Sequence, residues 1–331
     1  MQQGMLSSLL LSLLLALGAP QVAATSMTPE RVELWRQSDH MQAKVAELLQ
    51  YVMEDKTDIL SFSLERLAFP QQEVARYLLL QKLEQQELIL TPKMAIFVEQ
   101  QKAMVPTYQV IEMGDGYEFT TPAFNYPAIA SRLLKRWHQD QSVLEFVMQA
   151  ERQQLDLQQW LSGSNYQKQA REQLLLRELD SLSPEAVRYL GQQLTDKVVV
   201  SWLPSPQVMV RLAQVSEDPA VYKLLWLMKA SFYSEEEIRR LGSVADPFAI
   251  EQLMAAAHNP SLSELAITQL VGIKPMTLAV EEFLIAKMGS KDDAPFVARQ
   301  LLEQGYSTWL TELASSDNRV KRNQILSVLS Q

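Results

Sequence analysis

Three histidines, His40, His138 and His258, are the only imidazoles in 331 residues. Each falls in a different stretch of helical periodicity. No two have the spacing that would put a pair of imidazoles on one helix face toward a metal. His258 stands directly before Asn259-Pro260, a position where a cation meets the negative end of a helix. Cysteine is absent, which removes thiolate nucleophiles, Cys-ligated zinc, iron–sulfur clusters and disulfides together. It also removes lipid attachment through an N-terminal cysteine. The acids are grouped as Glu235-Glu236-Glu237, Glu281-Glu282 and Asp292-Asp293. The first group follows Ser234, and acids behind a capping serine complement the positive end of a helix. The other two groups fit solvated faces and helix starts. Paired carboxylates that cleave glycosides are set by distance in space, and no glutamate here stands in a recognisable catalytic context. Gly114-Asp115-Gly116 lacks the acid series of a calcium loop. The nucleophile elbow, the phosphate-cradling loop and the dinucleotide fingerprint do not occur. No catalytic, cofactor-binding or metal-ligating residue is assigned from the sequence.

The remaining chemistry-bearing residues are aromatic and basic. Trp226, inside Leu224-Leu225-Trp226-Leu227-Met228, is expected in a core. Trp35, Trp137 and Trp160 lie on more polar helices, open to either a core or a groove. Lys135-Arg136 and the cluster Arg319, Lys321, Arg322 read as solvated faces, the latter on a terminal helix of a stack. The net charge is −9 and the isoelectric point is near 5.1. That argues against a general nucleic-acid or anionic-membrane binder, because phosphate binding needs clustered Lys and Arg.

The elements that must position these residues are announced by one recurring dipeptide. Thr28-Pro29, Thr91-Pro92, Ser183-Pro184, Ser205-Pro206, Asp218-Pro219, Asp246-Pro247 and Asn259-Pro260 share its form. The oxygen-bearing side chain caps free N–H groups at a helix start, and proline suits the next position because its missing N–H had no partner there. Apolar residues at spacings of three and four follow each site. The pattern predicts helices over 28–54, 59–69, 70–90, 92–104, 128–138, 143–161 and 166–182. Ten shorter ones follow, over 184–195, 206–216, 219–231, 235–242, 247–257, 261–271, 276–289, 294–304, 306–314 and 318–330. Tyr108–Met113 and Tyr117–Thr120 flank the Asp-Gly turn with β-branched and aromatic residues, the mark of a hairpin. Val198-Val199-Val200 fits either a short strand or the apolar end of a connection.

Met5 to Ala19 is an apolar run of about 15 residues, short of the roughly 20 a spanning helix needs. Val22-Ala23-Ala24 then supplies small residues, so residues 1–24 are expected to be a signal peptide cleaved after Ala24. Ser162-Gly163-Ser164-Asn165 is the expected domain boundary. It separates an N-terminal helical domain with a hairpin, 25–162, from a helical repeat domain, 163–331.

Three turns carry a family resemblance. Asp218-Pro219-Ala220-Val221 with Leu224-Leu225 resembles the turn and second helix of a HEAT-type repeat. So do Asn259-Pro260-Ser261-Leu262 with Leu265-Ala266-Leu270, and Asp317-Asn318-Arg319-Val320 with Ile325-Leu326-Leu329. The resemblance spans about 183–331 and implies a superhelical binding scaffold without catalytic residues. The fold expected is all-α, an irregular α-solenoid of helix pairs with one small hairpin near 108–120. The function expected is an exported, periplasmic or secreted, non-catalytic scaffold or adaptor that binds a protein partner on the helical surface. Neither nucleic acid nor an integral membrane segment enters that reading. The alternative is a cell-envelope enzyme acting on wall polymer through acidic residues.

Overall fold

The structure, a computed structural model, describes residues 25–114, 117–196 and 202–330. The leader, the Asp115-Gly116 turn and Val198–Val200 lie outside the described residues. The chain is 71% helical, with 18 α-helices and one three-stranded sheet among the described residues. It falls into two compact units that divide between Ser142 and Val143. No described helix is long and apolar enough to cross a membrane.

The first unit opens with strand β1 (Thr25–Met27), then α1 (Pro29–Arg36), α2 (Asp39–Met53), α3 (Thr57–Glu65), α4 (Gln71–Gln85) and α5 (Pro92–Ala103). Periodicity predicts one helix over 28–54, and the structure breaks it at Gln37-Ser38. There Ser38 N turns back to Trp35 O at 3.4 Å, and a new helix starts. α4 is the hub. It packs on α1, α2 and α3 and buries Val74, Ala75, Leu78, Leu79, Leu80 and Leu83. A helix apolar on so many sides belongs inside. Strands β2 (Tyr108–Gly114) and β3 (Tyr117–Pro122) form the expected hairpin. β1 joins it in parallel, with Met27 beside Val110, a pairing that no local pattern announced.

Glu73 of α4 ties the sheet to the helices. Its buried carboxylate accepts N–H bonds from Thr107 at 2.6 Å and Tyr108 at 3.3 Å. Arg76, one turn on and also buried, donates to Gln101. Burial pulls this guanidinium below its usual range. Tyr126 shares the cluster, and burial, with the Glu73 charge second, pushes its phenol up to about 12. An unfolded tyrosine titrates near 10, so the contribution to stability is whole below about pH 10 and lost as pH rises through about 12. Between those limits wild type is expected to lose about 2 kcal/mol more than Tyr126→Phe, measured by urea denaturation at both ends.

α6 (Tyr126–Glu151) is one helix where the sequence predicts two, over 128–138 and 143–161. The residues between, Gln139 to Ser142, are polar and exposed but contain neither Pro nor Gly, so nothing local stops the helix. Its beginning buries Ile129, Leu133 and Leu134 in the first core, and its end buries Phe146 and Ala150 in the second.

The second unit continues with α7 (Leu157–Trp160) and α8 (Asn165–Glu178). Between them Gly163 takes φ +116°, a conformation that favours glycine. Ser164 then caps α8 in a reciprocal box with Gln167. Next come α9 (Pro184–Thr195), α10 (Pro206–Ser216), α11 (Pro219–Leu227), α12 (Phe232–Val244) and α13 (Pro247–Ala256). They are followed by α14 (Ser263–Gly272), α15 (Leu278–Met288), α16 (Ala294–Glu303), α17 (Ser307–Ser316) and α18 (Arg322–Leu329). Even-numbered helices from α8 to α18 touch one another in series, and α9, α11, α13 and α15 do the same beside them. This two-row stack of helix pairs is the expected α-solenoid, each pair covering the apolar face of the next.

Six of the seven oxygen–proline sites cap helices. Thr28, Thr91, Ser183, Ser205, Asp218 and Asp246 each accept a backbone N–H of the first turn. Asn259 does not: α14 begins at Ser263, behind Leu262. The Asn259 Oδ1 instead accepts from Ser261 N at 3.0 Å, in the turn before α14.

Candidate functional site

α11 and α13 lie side by side in one row of the stack. A concavity of about 700 Å³ opens between them, within the size range of natural ligand sites. Asp218 and Pro219 fix where α11 starts, and its carbonyl end is closed from outside. Asn259 Nδ2 donates to Trp226 O at 2.8 Å and to Met228 O at 3.1 Å. Ala257 O, just past α13, accepts from Lys287 Nζ at 2.8 Å.

The concavity is lined by apolar and by charged side chains. Trp226, Leu227, Met228 and Ala255 supply the first. Trp226 is buried, as its sequence context predicts, with its ring 5.7 Å from Tyr222. Leu227 beside it is 75% exposed. Phe232 and Tyr233, a few residues on, are exposed as well, with ring centroids 5.7 Å apart. Lys223, Lys229 and Glu251 form the charged border, and none of them is in an ion pair with any described residue. Trp226 and Gln252 both present polar groups here. Trp226 Nε1 is buried with no acceptor among the described residues. Gln252, 3% exposed as a residue, lines the concavity and makes no hydrogen bond to any described residue. A carboxamide placed so at an open concavity is available to a bound group.

The histidines do not converge. His40 and His138 are exposed in the first unit, and His258 lies at the groove, edge-on to Phe283 at 6.0 Å. No group of three or more His, Asp or Glu is gathered for a metal among the described residues. Trp35 and Trp137 pack on the first core. Trp160 packs on the second, 4.8 Å from Phe146. Arg319 is engaged by Asp317 and Glu282, both at 2.8 Å.

The acids divide into two kinds. Glu47 beside Lys44, Glu84 beside Arg132, Glu151 on Ser183 and Asp317 beside Arg319 are all held below the usual carboxylate range by those hydrogen bonds. A general acid needs the opposite displacement. Glu237 is different and corrects the sequence reading. α12 starts at Phe232, capped by Ser231 rather than Ser234, so Glu237 lies beyond the first turn and faces inward. It accepts from Tyr222 at 2.6 Å, Gln214 at 2.6 Å and Arg240 at 2.7 and 2.8 Å. Burial, then the bond to Glu237, raises the Tyr222 phenol, and the same carboxylate raises Arg240. Every oxygen of Glu237 is occupied, so this network joins α10, α11 and α12 rather than offering a reactive group.

No family model matches the chain, and no curated protein or solved structure is significantly similar to it.

Proposed function

We propose that this chain is an exported, non-catalytic interaction scaffold that seats a protein partner in the groove between α11 and α13. The single observation that carries this is an apolar concavity whose border keeps a large aliphatic side chain, Leu227, in water. Exposed apolar groups beside a pocket mark protein-binding surfaces, and aromatic residues such as Phe232 and Tyr233 dominate the energetics of such contacts. Stacked helix pairs are extended surfaces suited to this use. Export rests on the expected signal peptide over residues 1–24, and the absence of cysteine is compatible with an oxidising compartment.

The test is capture from the envelope fraction with wild type and with Leu227→Glu. Because Leu227 is exposed, the substitution is expected to leave the fold intact, checked by circular dichroism and melting. Wild type is expected to retain one stoichiometric protein and Leu227→Glu to lose it. Capture unchanged by Leu227→Glu removes the groove from the account. Turnover of purified wall material, abolished by a single Glu→Gln change, replaces the scaffold with an enzyme.

A further inference from the structure

We infer that the occupant of the groove is an extended partner segment carrying apolar and acidic side chains, held through its main chain by Gln252. This rests on the reading of the groove as a partner seat and adds what the seat recognises. The first argument is the Gln252 amide. A carboxamide offers one acceptor oxygen and two N–H donors, and a main-chain peptide group offers the matching donor and acceptor. Gln252 lines the concavity and makes no hydrogen bond to any described residue, and a peptide group of a passing chain satisfies it at both ends. A helical occupant could not, because its interior peptide groups are already paired within the helix.

The second argument is length. Pro219 to Leu227 covers about 12 Å of α11 at about 1.5 Å per residue. That accommodates about four extended residues at about 3.3 Å each.

The third argument is charge. Lys223 and Lys229 stand at the border without an acidic partner among the described residues, and they outnumber Glu251. The carbonyl ends of α11 and α13, which would repel an acid, are already engaged by Asn259 and Lys287. In a chain of net charge −9, this is a local surplus of unpaired cations, and it favours a carboxylate-bearing segment. Alternate side chains of an extended strand point to opposite sides. One set therefore lies on Trp226, Leu227 and Met228 while the other reaches the lysines.

The experiment uses the full chain and three labelled synthetic peptides, read by fluorescence anisotropy. The first alternates leucine and aspartate, the second leucine and lysine, and the third is the first with its backbone N-methylated. The leucine–aspartate peptide is expected to bind saturably. The Lys223→Glu, Lys229→Glu double variant, both positions exposed, is expected to weaken it about tenfold. N-methylation is expected to weaken it comparably in wild type and to add little in Gln252→Met, which keeps the side chain's bulk but removes its amide. Equal binding of the leucine–lysine peptide overturns the acidic class. Equal binding of the N-methylated peptide to wild type overturns the main-chain contact. If no peptide binds while Leu227→Glu still abolishes partner capture, this inference fails and the groove stands. If Leu227→Glu does not affect capture, the groove itself fails.

Discussion

Arg240→Met is expected to lower the stability of the second unit by about 3–5 kcal/mol. The loss comes from what is left behind. Arg240 is half exposed, but its partner Glu237 has no exposed side-chain surface. Removing the guanidinium leaves a buried carboxylate supported only by the Tyr222 hydroxyl and the Gln214 amide. Neither carries charge. Glu237→Leu placed in the same background is expected to return most of that loss, because an apolar side chain needs no counter-charge. Urea denaturation of the single and double variants checks both statements. A single variant as stable as wild type would mean that the carboxylate reaches water in solution.

Glu73→Ala is expected to cost the first unit about 2–4 kcal/mol. Two backbone N–H groups, of Thr107 and Tyr108, lose their acceptor. Buried Arg76 loses one of the groups, after Tyr126 and Glu65, that offset its desolvation. The damage is directional, since Thr107 and Tyr108 lead into β2. Amide exchange is expected to accelerate at these positions and through the β1–β2 pairing, with α2 and α4 affected less. Glu73→Gln keeps an acceptor oxygen and is expected to lose less than Glu73→Ala. Denaturation of the three proteins ranks them, and equal loss in both variants would point to the carboxylate charge rather than to the acceptor oxygen.

What could be read without coordinates was whatever is decided within a few residues. An oxygen-bearing side chain before proline closes a helix start by itself, and the predicted segments from 184 to 304 lie within a few residues of α9 to α16. The hairpin was legible for the same reason, since an Asp-Gly turn between β-branched runs is a local instruction. The break at Gln37-Ser38 was not, because it depends on which surfaces find neighbours, and in α6 four exposed polar residues read as a gap although they contain nothing that stops a helix. The groove was the least legible. Lys223 and Gln252 sit on separate helices, and neither the lysine's lack of an acid nor the amide's lack of a partner has a sequence signature. Asn259 carried a helix-start signal, but its oxygen closes a turn at Ser261 and the helix starts only at Ser263. Glu237 reads in sequence as one of three acids at a helix start, and Tyr222 and Gln214, which engage it, come from other helices.

The parallel seat of Thr25–Met27 on Tyr108–Val110 has a consequence for how this protein is made and handled. Parallel neighbours cannot be joined by a tight turn, and here α1 to α5 make up the connection. A chain that is synthesised or threaded with its amino end leading must therefore hold Thr25–Met27 idle until a partner about 80 residues behind has emerged. A tag joined directly to Thr25 is attached at this strand, so tags belong at the other terminus.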